Sequence, residues 1–225
     1  MRAALLVLAK APVPGEVKTR LCPPATPAEA ARIAAAALLD TLDAVLAVPH
    51  VTPVVALTGD LANAVDVAEL AERLRDTTVL AQRGATLGQR IAAAHADAAA
   101  LAGQRPVLQI GMDTPQVDAG LLGRCLDLLD GDDVDAVFGP ATDGGWWALG
   151  LRRPALAHLI AGIPTSHPDT GERTLAVLHA AGCRVAQLPE LSDVDTWEDA
   201  IAVAADTPSG RFADAVAELS APGRR

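Results

Sequence analysis

Seven apolar residues in a row, Ala3–Ala9, run straight into Lys10 and a proline-rich loop. The run is too short to cross a bilayer, and it does not alternate, so as a strand it must bury both faces. Strands of that kind belong to parallel sheets covered by helices on either side. A second such run, Pro106–Ile110 (PVLQI), leads into Gly111-Met112-Asp113-Thr114-Pro115. Pro115 prevents the ladder from continuing, which places Asp113 at the C-terminal tip of a central strand. In open α/β sheets that is where ligands bind, in the crevice outside the strand ends.

The rest of the chain alternates in the same way. Thr26 predicts a helix N-cap, with Pro27 at the first helical position and Glu29 at the third, and the helix should run to about Ala47. Val51–Leu57 reads as a strand, Asp60–Arg75 as a helix, Thr77–Ala81 as a short strand and Thr86–Leu101 as a helix capped by Thr86. A helix over Asp118–Leu129 follows the Asp113 strand. Ala136–Pro140 and Trp146–Leu151 flank Asp143-Gly144-Gly145, a hairpin-type turn that adds an antiparallel strand. A short helix over Arg153–Ala161, a longer one over Thr170–Ala181, a last strand Cys183–Leu188 and closing helices Thr196–Ala205 and Gly210–Leu219 complete the pattern. The expected fold is a single Rossmann-like, three-layer α/β domain with a mixed, mostly parallel sheet, spanning 1–220 and followed by a 221–225 tail.

Composition narrows the function. Hydrophobic residues make up 51% of the chain but aromatics only 2%, so the core must be built from Ala, Val and Leu, which favours close helix packing. A formal net charge of −10 excludes general nucleic-acid binding, because phosphate backbones demand a basic surface. Against that background the cations Lys10, Lys18 and Arg20 stand out. The cysteines Cys22, Cys125 and Cys183 are odd in number and lack CxxC spacing, which favours reduced thiols over a disulfide framework. The apolar N-terminal run is too short for a signal peptide, and no stretch is long enough for a membrane span. The expectation is a cytoplasmic protein.

Three segments carry candidate chemistry. The loop Lys10–Leu21 (KAPVPGEVKTRL) follows the first strand, where phosphates are commonly held; its prolines stiffen it, Gly15 lets backbone approach a ligand, and Lys10, Lys18 and Arg20 could face an anion. It fits neither a Walker loop nor GxGxxG, and a solvated basic loop explains it equally well. Asp113 alone would repel a diphosphate, since unit charges ~4 Å apart interact by about 4 kcal/mol at an intermediate dielectric. A bridging Mg²⁺ or Mn²⁺ reverses that sign, as hard cations take carboxylate and phosphate oxygens together. The third segment, Ser192–Asp199 (SDVDTWED), holds Asp193 and Asp195; Asp195 or Thr196 can cap the following helix, yet capping does not require both acids. Its Asp-x-Asp also resembles the start of a phosphatase nucleophile motif, but that motif follows an early strand. Asp143 and the pair His167 and Asp169 are further candidates for acceptor contact or a general base. Within Gly84–Arg90 (GATLGQR), Gly88 is a candidate contact to a base or ribose, or simply part of a helix entrance. Trp146 and Trp147 read as core, His95 as a tolerated surface or core residue and Cys125 as buried and inert.

Taken together, the Lys10–Leu21 loop, Gly111–Pro115, the Gly139–Gly145 turn and the late Asp-x-Asp-Thr resemble the glycosyltransferase-A superfamily of nucleotide-diphospho-sugar transferases. They are similar in particular to the small bacterial branch of unknown function that carries a glycosyltransferase label. Guanylyltransferases of coenzyme and molybdopterin pathways look similar at the first loop, the Asp113 position and the Asp-x-Asp-Thr segment. The resemblance implies metal-dependent glycosyl transfer from a nucleotide-sugar to a small-molecule acceptor, with nucleotidyl transfer from a nucleoside triphosphate, or nucleotide binding without turnover, as alternatives. It implies a nucleotide bound by the Lys10–Leu21 loop and a metal on Asp113 with Asp193 or Asp195; the residues themselves then assign phosphates to Lys10, Gly15, Lys18 and Arg20, base or ribose contact to Gly88, and the base to Asp143 or Asp169. A homodimer is left open. One departure is that Gly111 stands where many members of the superfamily carry an earlier acid.

Overall fold

The computed structural model describes residues 3–207 and 209–221. Residues 222–225 of the expected tail lie outside them. The strands are β1 (Ala4–Lys10), β2 (Thr52–Thr58), β3 (Thr78–Ala81), β4 (Val107–Gly111), β5 (Ala136–Pro140), β6 (Trp146–Leu151) and β7 (Val185–Gln187). They form one sheet in the order β3-β2-β1-β4-β6-β5-β7. Only β6 is antiparallel to its neighbours, β4 and β5, as the hairpin turn predicts. The α-helices are α1 (Pro27–Leu46), α2 (Val67–Leu74), α3 (Leu87–Leu101), α4 (Ala119–Asp130), α5 (Thr170–Ala180), α6 (Trp197–Asp206) and α7 (Arg211–Ser220).

The absence of alternation in β1 has the consequence expected of it. Leu5, Val7 and Ala9 pack on one face with Leu38 and Leu42 of α1, Leu70 of α2 and Leu122 of α4. Ala4 and Leu6 pack on the other face with Ala94 and Ala98 of α3. Under β5 and β6 that second face is continued by Ala157, Ile160 and Leu178. The alanine content is used in α1, which is buried on two sides: Ala31 and Ala34 face the sheet, while Ala30, Ile33 and Ala37 meet Val203 of α6 and Phe212 of α7. Small side chains let this helix sit inside the molecule rather than on it. No helix among the described residues is long and apolar enough to cross a membrane.

Two segments differ from the expected helices. Asp60–Arg75 is interrupted: a 3₁₀ turn at Leu61–Asn63 is capped by the Asp60 side chain, and Asp66 takes a left-handed conformation (φ 54°) before α2 begins. Short acidic side chains tolerate that region, so the apolar pattern of Leu70 and Leu74 sets only the last two turns. Arg153–Ala161 is a seven-residue 3₁₀ helix, Pro154–Ile160, drawn against the start of α3.

A polar pair is buried between α3 and the sheet. His95 has its Nε2 3.1 Å from Oε1 of Gln109, in the middle of β4, and both residues are shielded from solvent. Burial pushes the imidazole from its ordinary 6.5 down to about 4, only partly offset by the Gln109 hydrogen bond. Between those values the unfolded chain binds a proton that the folded chain refuses, so this group's stability contribution is lost as pH falls through the window. Lowering pH from about 7 to about 5 should therefore remove about 2 kcal/mol through His95. Urea unfolding of wild type and His95→Leu at the two pH values checks this: the pH-dependent loss should be smaller in the variant by that amount.

Candidate active site

The C-terminal ends of β1, β2 and β4 lie along one edge of the sheet, since Lys10 pairs with Thr58 and Leu8 with Gly111. A crevice of about 840 Å³ opens there, within the range usual for small-molecule sites. All three chemistry-bearing segments reach it: Lys10, Lys18 and Arg20, then Asp113, then Asp193 and Asp195 line it together.

The acidic segment is brought in by backbone bonds. Beyond β7, Leu191 bridges to Ala141, Thr142 N–H donates to Leu191 O, and Val194 N–H donates to the carbonyl of Asp113 at 3.0 Å. Gln116 Nε2 adds a bond to Ser192 O. Capping of α6 falls to Thr196 and Asp199, which form a reciprocal capping box. Asp193 and Asp195 are thereby spared that duty and turn to the crevice. One carboxylate oxygen from each of Asp113, Asp193 and Asp195 lies within 4.8 Å of the others.

Lys18 sits among these acids. Its backbone adopts a left-handed conformation (φ 47°) at the entry of a 3₁₀ turn, Thr19–Leu21. Its ammonium donates to Asp113 Oδ2 at 2.8 Å and to Asp195 Oδ1 at 3.2 Å, with the side chain only 11% exposed. Burial opposes its charge, but the Asp113 and Asp195 carboxylates outweigh that and hold its pKa above the ordinary lysine value. Arg20, 70% exposed, reaches Asp195 Oδ2 at 3.0 Å. Asp193 differs from both neighbouring acids in its environment. Burial, and then the charges of Asp143, Asp113 and Asp195, push its carboxyl up to about 6, against a smaller pull from Lys18.

Gly111 stands where an Asp-x-Asp would carry its first acid. A Cβ there would lie 2.6 Å from Asp113 Oδ1. The missing side chain makes room for the carboxylate as Lys18 holds it, and acids from the far end of the chain supply the neighbouring charge.

Other expected residues fall differently. Lys10 lines the crevice, with Nζ donating to Glu16 O at 2.6 Å and so closing the loop on itself. Gly15 is exposed with φ 79°, a turn residue at the loop tip rather than part of the crevice wall. Gly88 is a packing residue: a Cβ would sit 2.5 Å from Ile160 O, so the glycine admits the 3₁₀ helix against α3. Of Gly84–Arg90, Leu87 and Arg90 reach the crevice. Asp143 lines it, its Oδ1 accepting from Gly145 N–H at 2.7 Å. Asp169 does not line it; its carboxylate is taken by Arg173 Nε at 2.7 Å and His167 Nδ1 at 2.6 Å, and these hold it below the usual carboxylate range, Arg173 foremost. His167 does line the crevice. Trp147 is buried, its Nε1–H bonded to Pro189 O, and both it and Trp146 border the crevice. Gln109 also lines the crevice, a role the sequence motifs do not point to. Its one signal is a lone amide inside an apolar strand, a position that requires a buried partner.

Comparison with known proteins agrees with this architecture. A crystal structure from Desulfovibrio desulfuricans G20, described as a candidate nucleotide-diphospho-sugar transferase, matches with a TM-score of 0.82 and 29% identity over 97% of this chain and 94% of that one. A cytidylyltransferase from Leptospira borgpetersenii serovar Hardjo-bovis shares the fold at a TM-score of 0.57 and 15% identity, over 97% of this chain and 94% of that one. The 2-C-methyl-D-erythritol 4-phosphate cytidylyltransferase from Thermus thermophilus does so at 0.52 and 18%, over 93% and 100%. No curated protein matches the chain. Residues 41–167 match the family described as "uncharacterized protein conserved in bacteria (DUF2064)". With more than half its length in that match and a nucleotide-diphospho-sugar transferase fold around it, the chain belongs to the DUF2064 family.

Proposed function

We propose that the crevice transfers a glycosyl group from a nucleotide-diphospho-sugar to a small acceptor, within one domain covering residues 1–220. The observation that carries this reading is the meeting of Lys18 with Asp113 and Asp195 at the strand ends. A divalent cation fits the cluster: three carboxylates offer hard oxygen donors within 4.8 Å, and Asp193 is raised to about 6 in part by like charges that a cation would relieve. Asp113, Asp193 and Asp195 would hold Mg²⁺ or Mn²⁺, which when bound offsets the negative charge gathering on a departing diphosphate.

The chain's own residues supply the rest. Lys18 and Arg20 are fixed beside the acids, so a diphosphate entering there meets two cations already oriented. Lys10, on the same wall, extends the cationic row. The arriving phosphate competes with Asp113 and Asp195 for the Lys18 ammonium, so binding should exchange internal ion pairs for contacts to the ligand.

Nucleotidyl transfer is the second reading, favoured by the same row of three cations, which a triphosphate would fill. Incubation with Mn²⁺ and either UDP- and GDP-sugars or nucleoside triphosphates separates them. Release of nucleoside diphosphate supports glycosyl transfer. Release of pyrophosphate alone overturns it, and binding of nucleotide with no turnover of either class assigns a non-catalytic binding role.

A further inference from the structure

The crevice has a second wall whose chemistry differs from that of the acid cluster. It is formed by the loop between the Pro154–Ile160 turn and α5, and it presents His167 to the cavity. We propose that His167 is the proton acceptor for the incoming hydroxyl, and that Asp169 is a positioning residue that fixes its tautomer; this rests on the glycosyl-transfer reading above.

Three observations carry it. First, Asp169 is not part of the crevice lining but holds His167: its Oδ1 lies 2.6 Å from Nδ1. Its other oxygen accepts from Arg173 at 2.7 Å, which keeps the carboxylate ionised and acceptor-only. An ionised carboxylate on Nδ1 requires a proton to sit there, so whenever the ring is neutral its lone pair is on Nε2. Second, the loop is held rigid. His167 N–H donates to Thr170 Oγ1, Thr170 N–H donates to His167 O, and the Thr170 hydroxyl lies 2.8 Å from that same oxygen and 3.1 Å from Pro164 O. Third, the loop is docked on the Asp143-Gly144-Gly145 turn. Gly171 N–H donates to Gly144 O at 2.8 Å, and a Cβ on Gly144 would run into the Pro168 carbonyl. The turn that places Asp143 in the crevice therefore also places His167 there.

Asp143 is the competing base. Its charge lies close enough to raise Asp193, and its Oδ1 is occupied by Gly145 N–H, whereas His167 has its own orienting carboxylate in Asp169. In the step assigned here, the acceptor oxygen forms a bond to the anomeric carbon and gives its proton to His167 Nε2. The bond from that carbon to the diphosphate breaks, and its electron pair leaves on the phosphate oxygen. The imidazolium then returns the proton to solvent.

The test has two arms. Nitrogen-detected NMR of the ¹⁵N-histidine-labelled protein should show His167 as the Nδ1–H tautomer at neutral pH, and Asp169→Asn should shift the population toward Nε2–H. In the second arm, sugar-nucleotide turnover with water as acceptor is followed by nucleoside diphosphate release. His167→Gln should lower kcat by about 10²- to 10⁴-fold, with UDP and GDP affinities in Mn²⁺ unchanged. Asp169→Asn should lower kcat less, also without a change in those affinities. An Nε2–H tautomer in the wild type, or wild-type kcat in His167→Gln, overturns the assignment. If wild type turns over no sugar nucleotide at all, the glycosyl-transfer reading and the base role fall together, while the tautomer result still judges the His167–Asp169 pair on its own.

Discussion

Asp113→Ala should abolish divalent-cation-dependent nucleotide binding, weakening the affinity for UDP or GDP in Mn²⁺ by about a hundredfold or more. The size follows from charge. A carboxylate about 4 Å from a unit positive charge is worth about 4 kcal/mol at an intermediate dielectric, and a divalent ion feels the loss more strongly. Solvent reaches a third of the Asp113 side chain, which tempers that figure without removing it. The substitution also takes from Lys18 the nearer of its two carboxylates. In metal-free buffer, nucleotide affinity should therefore hold or rise slightly, as the ammonium is freed for phosphate. Calorimetry with and without Mn²⁺ on both proteins measures the two directions. Equal metal-dependent affinity in wild type and variant would remove Asp113 from the site.

Gly144→Ala should cost about 2–5 kcal/mol of stability. The residue sits at φ +86°, where an L side chain is strained by roughly 1–2 kcal/mol. The added Cβ would also run into the Pro168 backbone carbonyl, and overpacking against a group that cannot rotate aside costs about 1–3 kcal/mol more. Denaturant titration reads the loss. Gly123→Ala, where a Cβ meets nothing within 4 Å in the middle of α4, is the control and should be neutral or mildly stabilising. If the two variants are equally stable, the hairpin does not rest on the 164–170 loop.

How much of this was readable in advance depends on how local the signal is. The helix starts at Pro27 and Leu87 were legible because Thr26 and Thr86 are their caps, and the structure shows each side chain accepting from the third residue of its helix. The buried strands were legible from unbroken apolar runs. Asp113 was legible because a carboxylate and a proline close such a run. Asp193 and Asp195 were ambiguous, since the same letters serve a helix cap; the cap falls to Thr196 and Asp199, and the bond from Val194 to the Asp113 carbonyl brings both acids to the crevice. The role of Gly88 was not legible at all. A glycine that admits a neighbouring backbone looks no different in sequence from one that approaches a ligand, and the neighbour here is far along the chain, at Ile160. Asp169 belongs to a loop that reaches the crevice, but its carboxylate is held by His167 and by Arg173, a partner one helical turn ahead.

The tie between Lys18 and Asp195 spans 177 positions. During synthesis, the first six strands of the sheet could pair before the segment carrying Asp193 and Asp195 has left the ribosome. Such a nascent chain would hold Lys18 with Asp113 alone and would lack two of its three clustered carboxylates. The carboxylate cluster would be complete only when the strap after β7 bonds to the Asp113 carbonyl, so a nascent chain lacking it would carry most of the sheet before it carried the site.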